Sequence, residues 1–273
     1  MTTISFVSTF HKPVLDLYGQ RFVDSFSKNI DKDIKLYLYA EDCVPVTSDS
    51  RIEILDHHAT LSKLVEFKNK WKDVPKANGV CPPEIRARRP RDWHKEFKWN
   101  AVRFANKVYA VFDAAKRCDT DWIVWLDADT YVHSPANYDQ LRKFTPDRAW
   151  MSYLGRGKKW PECGFYGINL KTKPAQKFLK RFEQVYEDAE NGIFKMEEWH
   201  DSFVFEEVRK EIQDQYSVPF YNISGDLVNG EGHPFINSDL GKYFDHLKGD
   251  RKETGKSAKP RDLIVKRNEG YWQ

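Results

Sequence analysis

Residues 122–126 read WIVWL, five large apolar side chains in a row. The next charged positions are Asp127 and Asp129, separated only by Ala128. A run with no polar alternation describes a strand covered on both faces, as at the centre of a parallel sheet. Such a strand needs helices on both sides, so this segment already points to an α/β domain. The two acids at its end need a separate explanation. Neighbouring carboxylates repel one another unless a cation lies between or beside them.

The flanking chain supports the α/β reading. TISFVSTF predicts a first buried strand and DIKLYLYAED a second, with RIEILD a short third. Between the first two, Leu15, Tyr18, Phe22 and Phe26 recur at helical spacing. The segment HKEFKWNAVRFANKVYAVFDAAKR carries Phe97, Ala101, Phe104, Val108, Val111 and Ala115 on one face, the pattern of an amphipathic helix. AWMSYL and CGFYGINL read as further strands. PAQKFLKRFEQVYEDAE and WHDSFVFEEVRKEIQDQY read as helices, the former with Pro174 in its first turn. Residues 57–94 break this rhythm with prolines, glycine and arginines and are expected to be a surface loop or small insertion. The whole, 1–273, reads as one domain, with an irregular C-terminal segment over 225–273.

Composition narrows the function. With 44 Lys+Arg against 41 Asp+Glu the net charge is only +3, too balanced to announce a nucleic-acid binder. The four cysteines are scattered without CxxC spacing, which suggests reduced thiols. Neither a signal peptide nor an apolar run of membrane-spanning length is visible, so the expected location is the cytoplasm.

In an open α/β sheet ligands bind beyond the carboxyl ends of the strands, which is where Asp127 and Asp129 fall. The pair alone leaves two readings open: a solvated strand end with Asp127 capping the next turn, or oxygen ligands for Mg²⁺ or Mn²⁺ bridging to phosphates. A second motif favours the cation. YFDHLKGDRK, residues 243–252, spaces His246, Gly249 and Lys252 as His-x-x-Gly-x-x-Lys. A neutral imidazole can complete the coordination of Mn²⁺, a glycine admits close backbone approach, and a lysine brings a point charge for phosphate.

An apolar strand ending in Asp-x-Asp, followed far downstream by His-x-x-Gly-x-x-Lys, resembles the GT-A fold glycosyltransferases, most of all the glycogenin-like and bacterial galactosyltransferase group. The resemblance spans about residues 3–252 and is strong at the two motifs. It implies a twisted, mostly parallel sheet flanked by helices, with residues 225–273 folding over a nucleoside diphosphate sugar donor. It also implies that Asp127, Asp129 and His246 hold Mn²⁺ (or Mg²⁺), that Lys252 holds the diphosphate, and that Gly164 and Gly167 lie beside the donor sugar. The sequence departs from the group after Lys252, where RKETGKS replaces the usual Pro-Trp, and at Asp201-Ser202, where the group has Asp-Gln. The small size also resembles glycosyltransferases carried by large phages and viruses.

The remaining candidates follow from position. Ser8, Thr9 and Phe10 end the first strand and are expected to face the nucleotide base. Glu41 and Asp42 end the second. Arg103 and Lys107 lie one turn apart on the expected polar side of a helix, where enzymes of the resembling group place a basic residue against the diphosphate. Asp201 is the candidate for acceptor-side chemistry, with Glu162 and His200 in reserve, and Asn169 the candidate for a sugar hydroxyl.

Arg86, Arg88, Arg89 and Arg91 beside Trp93 make the strongest basic cluster. Over 84–98 it offers an alternative, a nucleic-acid-binding protein or an enzyme that glycosylates a modified base. The acceptor is accordingly open among glycan, protein and modified nucleic acid. A nucleotidyltransferase is a third reading, although SFVSTFHKP lacks the glycine-rich, basic signature expected near its first strand.

Overall fold

The computed structural model describes residues 2–225, 232–257 and 259–273. Its strands are β1 (Ile4–His11), β2 (Lys35–Glu41), β3 (Ile52–Asp56), β4 (Trp122–Leu126), β5 (Thr130–Val132), β6 (Met151–Arg156), β7 (Lys159–Asn169), β8 (Tyr221–Asn222) and β9 (Phe244–His246). All five residues of β4 are buried, as the unbroken WIVWL run requires. It sits fourth in a seven-stranded sheet ordered β3-β2-β1-β4-β7-β6-β8. Only β7 runs against the rest, pairing antiparallel with both β4 and β6. The expected α/β architecture, a mostly parallel sheet flanked by helices, is therefore the one observed.

Alternation along each strand feeds two apolar layers. Val7, Tyr39, Ile123 and Trp125 face a core shared with helices Ala101–Arg117, Lys173–Glu187 and Asp201–Tyr216. Phe6, Leu38, Val124 and Leu126 face the other, closed by helix Gln20–Asn29. Each fully buried large apolar side chain contributes roughly 1.5–3 kcal/mol. A charge at Val124 would remove one such contribution and bury an unpaired ion.

Two expectations need correction. Residues 57–94 are not a loop: His57–Thr60, Ser62–Trp71 and Pro83–Arg88 are helical. Leu64, Phe67 and Trp71 pack into the core, with Phe67 6.0 Å from the Tyr109 ring. The helices are short, and Pro75 and Gly79 separate Ser62–Trp71 from Pro83–Arg88, which itself opens on Pro83, so no long periodic run shows in the sequence. Downstream, the long helix starts at Ala101 rather than before Phe97, because Asn100 Oδ1 accepts from the Arg103 amide (3.0 Å) and caps it. Phe97 is consequently outside the helix and exposed, and Phe104 lines a cleft.

The C-terminal segment, whose residues 226–231 and 258 lie outside those described, divides its work. β9 pairs antiparallel with β5, placing His246 opposite Thr130. Residues 246–252 then border the cleft, whereas 259–273 pack behind β9. There the Tyr271 ring stacks on His133 (4.1 Å) and its hydroxyl donates to Asp245 Oδ2 (2.8 Å). Among the described residues no helix is long and apolar enough to cross a membrane.

Candidate active site

A cleft of about 1070 Å³ opens beyond the carboxyl ends of β1, β2 and β4. The chain leaves β4 in a turn closed by the Thr130 amide donating to the Asp127 carbonyl (3.0 Å). The Asp127 amide itself donates to Gly164 O (2.9 Å) on β7. The Asp129 carbonyl accepts from the Leu247 amide (2.8 Å), so backbone bonds hold both aspartates. Because β5 follows at once and pairs with β9, His246 arrives beside them from 117 residues away.

Nε2 of His246 lies 2.9 Å from Asp129 Oδ1 and 3.4 Å from Asp127 Oδ2. The imidazole is fully buried, and among the described residues its Nδ1 has no hydrogen-bond partner. Burial alone would lower its pKa, but Asp129 and Asp127 outweigh this and push it up to about 9. Both carboxyls are held below their ordinary value: burial opposes this, yet Lys107 and His246 prevail at Asp127, and His246 at Asp129. One donor atom from each of the three residues falls within 4.8 Å of the others. Two carboxylate oxygens and one imidazole nitrogen form a donor set compatible with a divalent cation.

Two lysines flank the pair. Lys252 Nζ sits 2.8 Å from Asp129 Oδ2 and 4.8 Å above the Tyr18 ring. Lys107 is not on a polar helix face as expected but buried. Its Nζ stands 3.1 Å from Asp127 Oδ1 and 2.8 Å from Asp201 Oδ2, and donates to Cys163 O. Burial disfavours its charge, but Asp127 and Asp201 hold its pKa well above the ordinary range. Trp125 completes this wall, its Nε1 donating to Asp127 Oδ1 (2.6 Å) with the Lys107 ammonium 4.7 Å from its ring.

The other candidates divide. Asp201 is the first residue of its helix, while His200 caps that helix by accepting from Phe203 N, so the aspartate is free of capping and lines the cleft. Thr9, Phe10, Glu41 and Arg103 also line it. Phe10 is only 4% exposed and packs against Gly19, so it is a wall and not a stacking platform for a base. Ser8 is buried away from the cleft, donating to Leu126 O (2.7 Å). Gly249 has φ +61°, a left-handed turn that favours glycine, and its α-carbon faces open space.

Three expectations are overturned. Asn169 ends β7 opposite Trp122, the start of β4, so it lies at the far end of the sheet, where it donates to Ala149 O (3.0 Å). Gly164 does not face a sugar: a β-carbon there would lie 2.4 Å from Cε1 of His246. Gly167 is also elsewhere, packed against Ser152 and Trp122.

Some residues of the cleft were missed. Lys248 pairs with Glu162, a buried carboxylate that lies 3.8 Å from Nδ1 of His246. The HLKGDRK segment carried that signal, since Lys248 lies two positions after His246. Arg156 and Lys159 were also missed; they border the cleft with the expected Arg103, and among the described residues no carboxylate pairs with any of the three. On another flank Glu198, wholly buried, accepts from Lys98 (2.8 Å), Arg89 and His200 (2.9 Å), with Trp160 4.8 Å from the His200 ring. This flank absorbs much of the arginine-rich cluster. Arg89 is committed to Glu198 and Arg88 to Glu197 (2.8 Å), while Arg86 lies over Trp93 at 4.1 Å.

No protein-family model matches the sequence, and no curated protein is detectably similar to it. Among solved structures the chain is similar to the apo form of the glycosyltransferase GlyE from Streptococcus pneumoniae TIGR4, with a TM-score of 0.43 and 12% identity. That match covers 77% of this chain and 44% of that one. The apo form of mouse xyloside xylosyltransferase 1 follows, with a TM-score of 0.42 and 11% identity over 80% of this chain and 84% of that one. A further GlyE structure gives 0.40 and 10% identity over 83% and 47%. The chain spans less than half the length of the GlyE chains it matches.

Proposed function

We propose that this chain is a metal-dependent glycosyltransferase moving a sugar from a nucleoside diphosphate sugar to a hydroxyl. The observation that carries the proposal is the convergence of His246 Nε2 on both Asp127 and Asp129. Three cationic side chains that pair with no carboxylate among the described residues, Arg103, Arg156 and Lys159, border the same cleft.

Asp127, Asp129 and His246 would hold Mn²⁺ or Mg²⁺. When bound, such an ion supplies positive charge to the departing diphosphate. The chain's own residues do the rest. Lys252 exchanges its contact with Asp129 for a phosphate oxygen, and Arg103 reaches the same group from the helix opposite. Preorganised charge of this kind acts where negative charge develops and needs little rearrangement at the moment of reaction. Lys107 neutralises Asp127 on one side and anchors Asp201 on the other. Asp201 thereby holds a fixed position toward the acceptor and receives or orients the acceptor's hydroxyl proton. Phe97, Phe104 and Trp160 give the neighbouring wall an apolar, aromatic character.

The test is calorimetric titration of UDP, GDP, CDP and TDP, each with and without Mn²⁺, into wild type and His246→Ala. The expected result is binding of one nucleotide that requires the metal and weakens at least tenfold in the variant. Equal binding with and without Mn²⁺, or none at all, would overturn the reading. The nucleic-acid alternative has no comparable support, because Arg88 and Arg89 are already neutralised by Glu197 and Glu198.

A further inference from the structure

Two strands along the sheet from the aspartate pair, roughly 10 Å away at the usual strand spacing, lies a second group of ligand-type side chains. Glu41 ends β2, while His57 and His58 open the short helix that follows β3. The parallel register sets Ala40 beside Asp56, so the carboxylate and the two imidazoles meet at one end of the sheet. Donor atoms of all three lie within 4.8 Å of one another. Nε2 of His58 is 3.4 Å from Glu41 Oε1, close to the ~3.4 Å edge of a tetrahedron with ~2.1 Å bonds.

His57 is the observation that calls for a ligand. Its side chain is wholly buried, yet among the described residues neither ring nitrogen has a hydrogen-bond partner. A buried polar atom left unpaired is costly and uncommon, and a metal ion is one of the few things that satisfies it. So dry a setting favours the neutral imidazole, which keeps a lone pair free. Around His58 the outer contacts are also those of a ligating histidine: Nδ1 lies 3.5 Å from Asp42 Oδ1, the kind of carboxylate that orients a metal-bound ring. One feature opposes a cation, the Lys68 ammonium bonded to Glu41. Lys68 is partly exposed and has a second acceptor in Asn106 Oδ1 (3.3 Å), so it can leave Glu41 without losing every partner.

We propose that Glu41, His57 and His58 form a second cation site, taking a borderline divalent ion of the zinc class, with Asp42 orienting His58 and Lys68 acting as its competitor. Two imidazoles and a carboxylate match zinc better than magnesium or calcium, which prefer all-oxygen sites. The site is independent of the glycosyltransferase reading. Since Glu41 also lines the cleft, a bound ion would fix that wall by tying the end of β2 to the helix after β3.

The experiment uses the full chain, stripped of metal, with Zn²⁺ followed by equilibrium dialysis and Co²⁺ by its visible absorption. The double variant Asp129→Asn/His246→Ala removes the first site, so what still binds reports on the second alone. One equivalent of Zn²⁺ is expected to remain, with a tetrahedral Co²⁺ spectrum. Adding His57→Gln or Glu41→Gln should weaken it at least tenfold, and adding Lys68→Met should tighten it about tenfold, the sign expected for removing a competing charge nearby. Glu41 is half-buried at the cleft wall rather than fully enclosed like His57, so its variant remains informative should the His57 change unfold the chain. No retained equivalent in the double variant, or retained binding indifferent to both the Glu41 and Lys68 changes, would overturn the proposal. Neither result would bear on Mn²⁺-dependent nucleotide binding in the wild type.

Discussion

Gly164 and His246 compete for one space: the ring occupies the volume where any β-carbon on Gly164 would stand, 2.4 Å from Cε1. The glycine is thus a condition for the imidazole's position. Gly164→Ala should displace His246 from the carboxylates. A loss of Mn²⁺-dependent nucleotide affinity of about a hundredfold is expected, comparable to that for removing a metal ligand's support. The accompanying loss of stability should be only ~1–3 kcal/mol, that of modest overpacking. Calorimetry beside a denaturant titration separates the two.

Lys107 is nearly buried between two carboxylates. Lys107→Met keeps the bulk and removes the charge, leaving Asp127 and Asp201 to repel. A destabilisation of about 3 kcal/mol is expected, the lower end for breaking a buried ion pair. Mn²⁺ should restore more of the melting temperature in the variant than in wild type, because the ion replaces part of the missing charge. Thermal melts with and without Mn²⁺ decide this, and equal metal shifts in the two proteins would count against it.

Glu198 gives a pH prediction. Burial would raise its pKa, but hydrogen bonds from His200, Lys98 and Arg89 outweigh this and lower it from 4.5 to about 2. A depressed carboxyl stabilises the fold fully above its unfolded pKa and loses that contribution as pH falls through the folded one. The contribution, roughly 3 kcal/mol, should therefore vanish between about pH 4.5 and 2. Glu198→Gln should be less stable at neutral pH and show a flatter acid limb in urea titrations over that window.

Asn169 offers a control of opposite sense. Its amide donates to Ala149 O at the sheet end remote from the cleft. Asn169→Ala should cost about 1–2 kcal/mol of stability, that of one buried hydrogen bond, and leave nucleotide affinity unchanged. A selective loss of affinity would mean that the cleft extends farther than these contacts indicate.

How much of this was legible in the sequence depended on the range of the signal. β4 and the aspartates following it were readable because five apolar residues in succession leave a strand no exposed face. His246 was legible by its motif, although nothing local says that β9 pairs with β5. The helices within 57–94 were obscured because they last only one to three turns and are separated by stretches rich in proline and glycine. Asn169 was misplaced because strand direction cannot be read from composition: β7 runs antiparallel, which sends its last residue away from the site. Lys107 was misread because helical spacing does not reveal which polar positions will find carboxylates inside the fold.

The pairing of β5 with β9 also has a consequence for the order of events during synthesis. A nascent chain that has emerged as far as β8 already holds both aspartates beside a complete seven-stranded sheet, but lacks His246 to meet them. Domain cores form from the amino-terminal side as the chain emerges, and contacts of long sequence separation come late. The charge cluster at the cleft is therefore incomplete until β9 docks, and a ribosome-bound chain paused before Phe244 would be folded in its sheet yet unable to assemble the three-residue cluster.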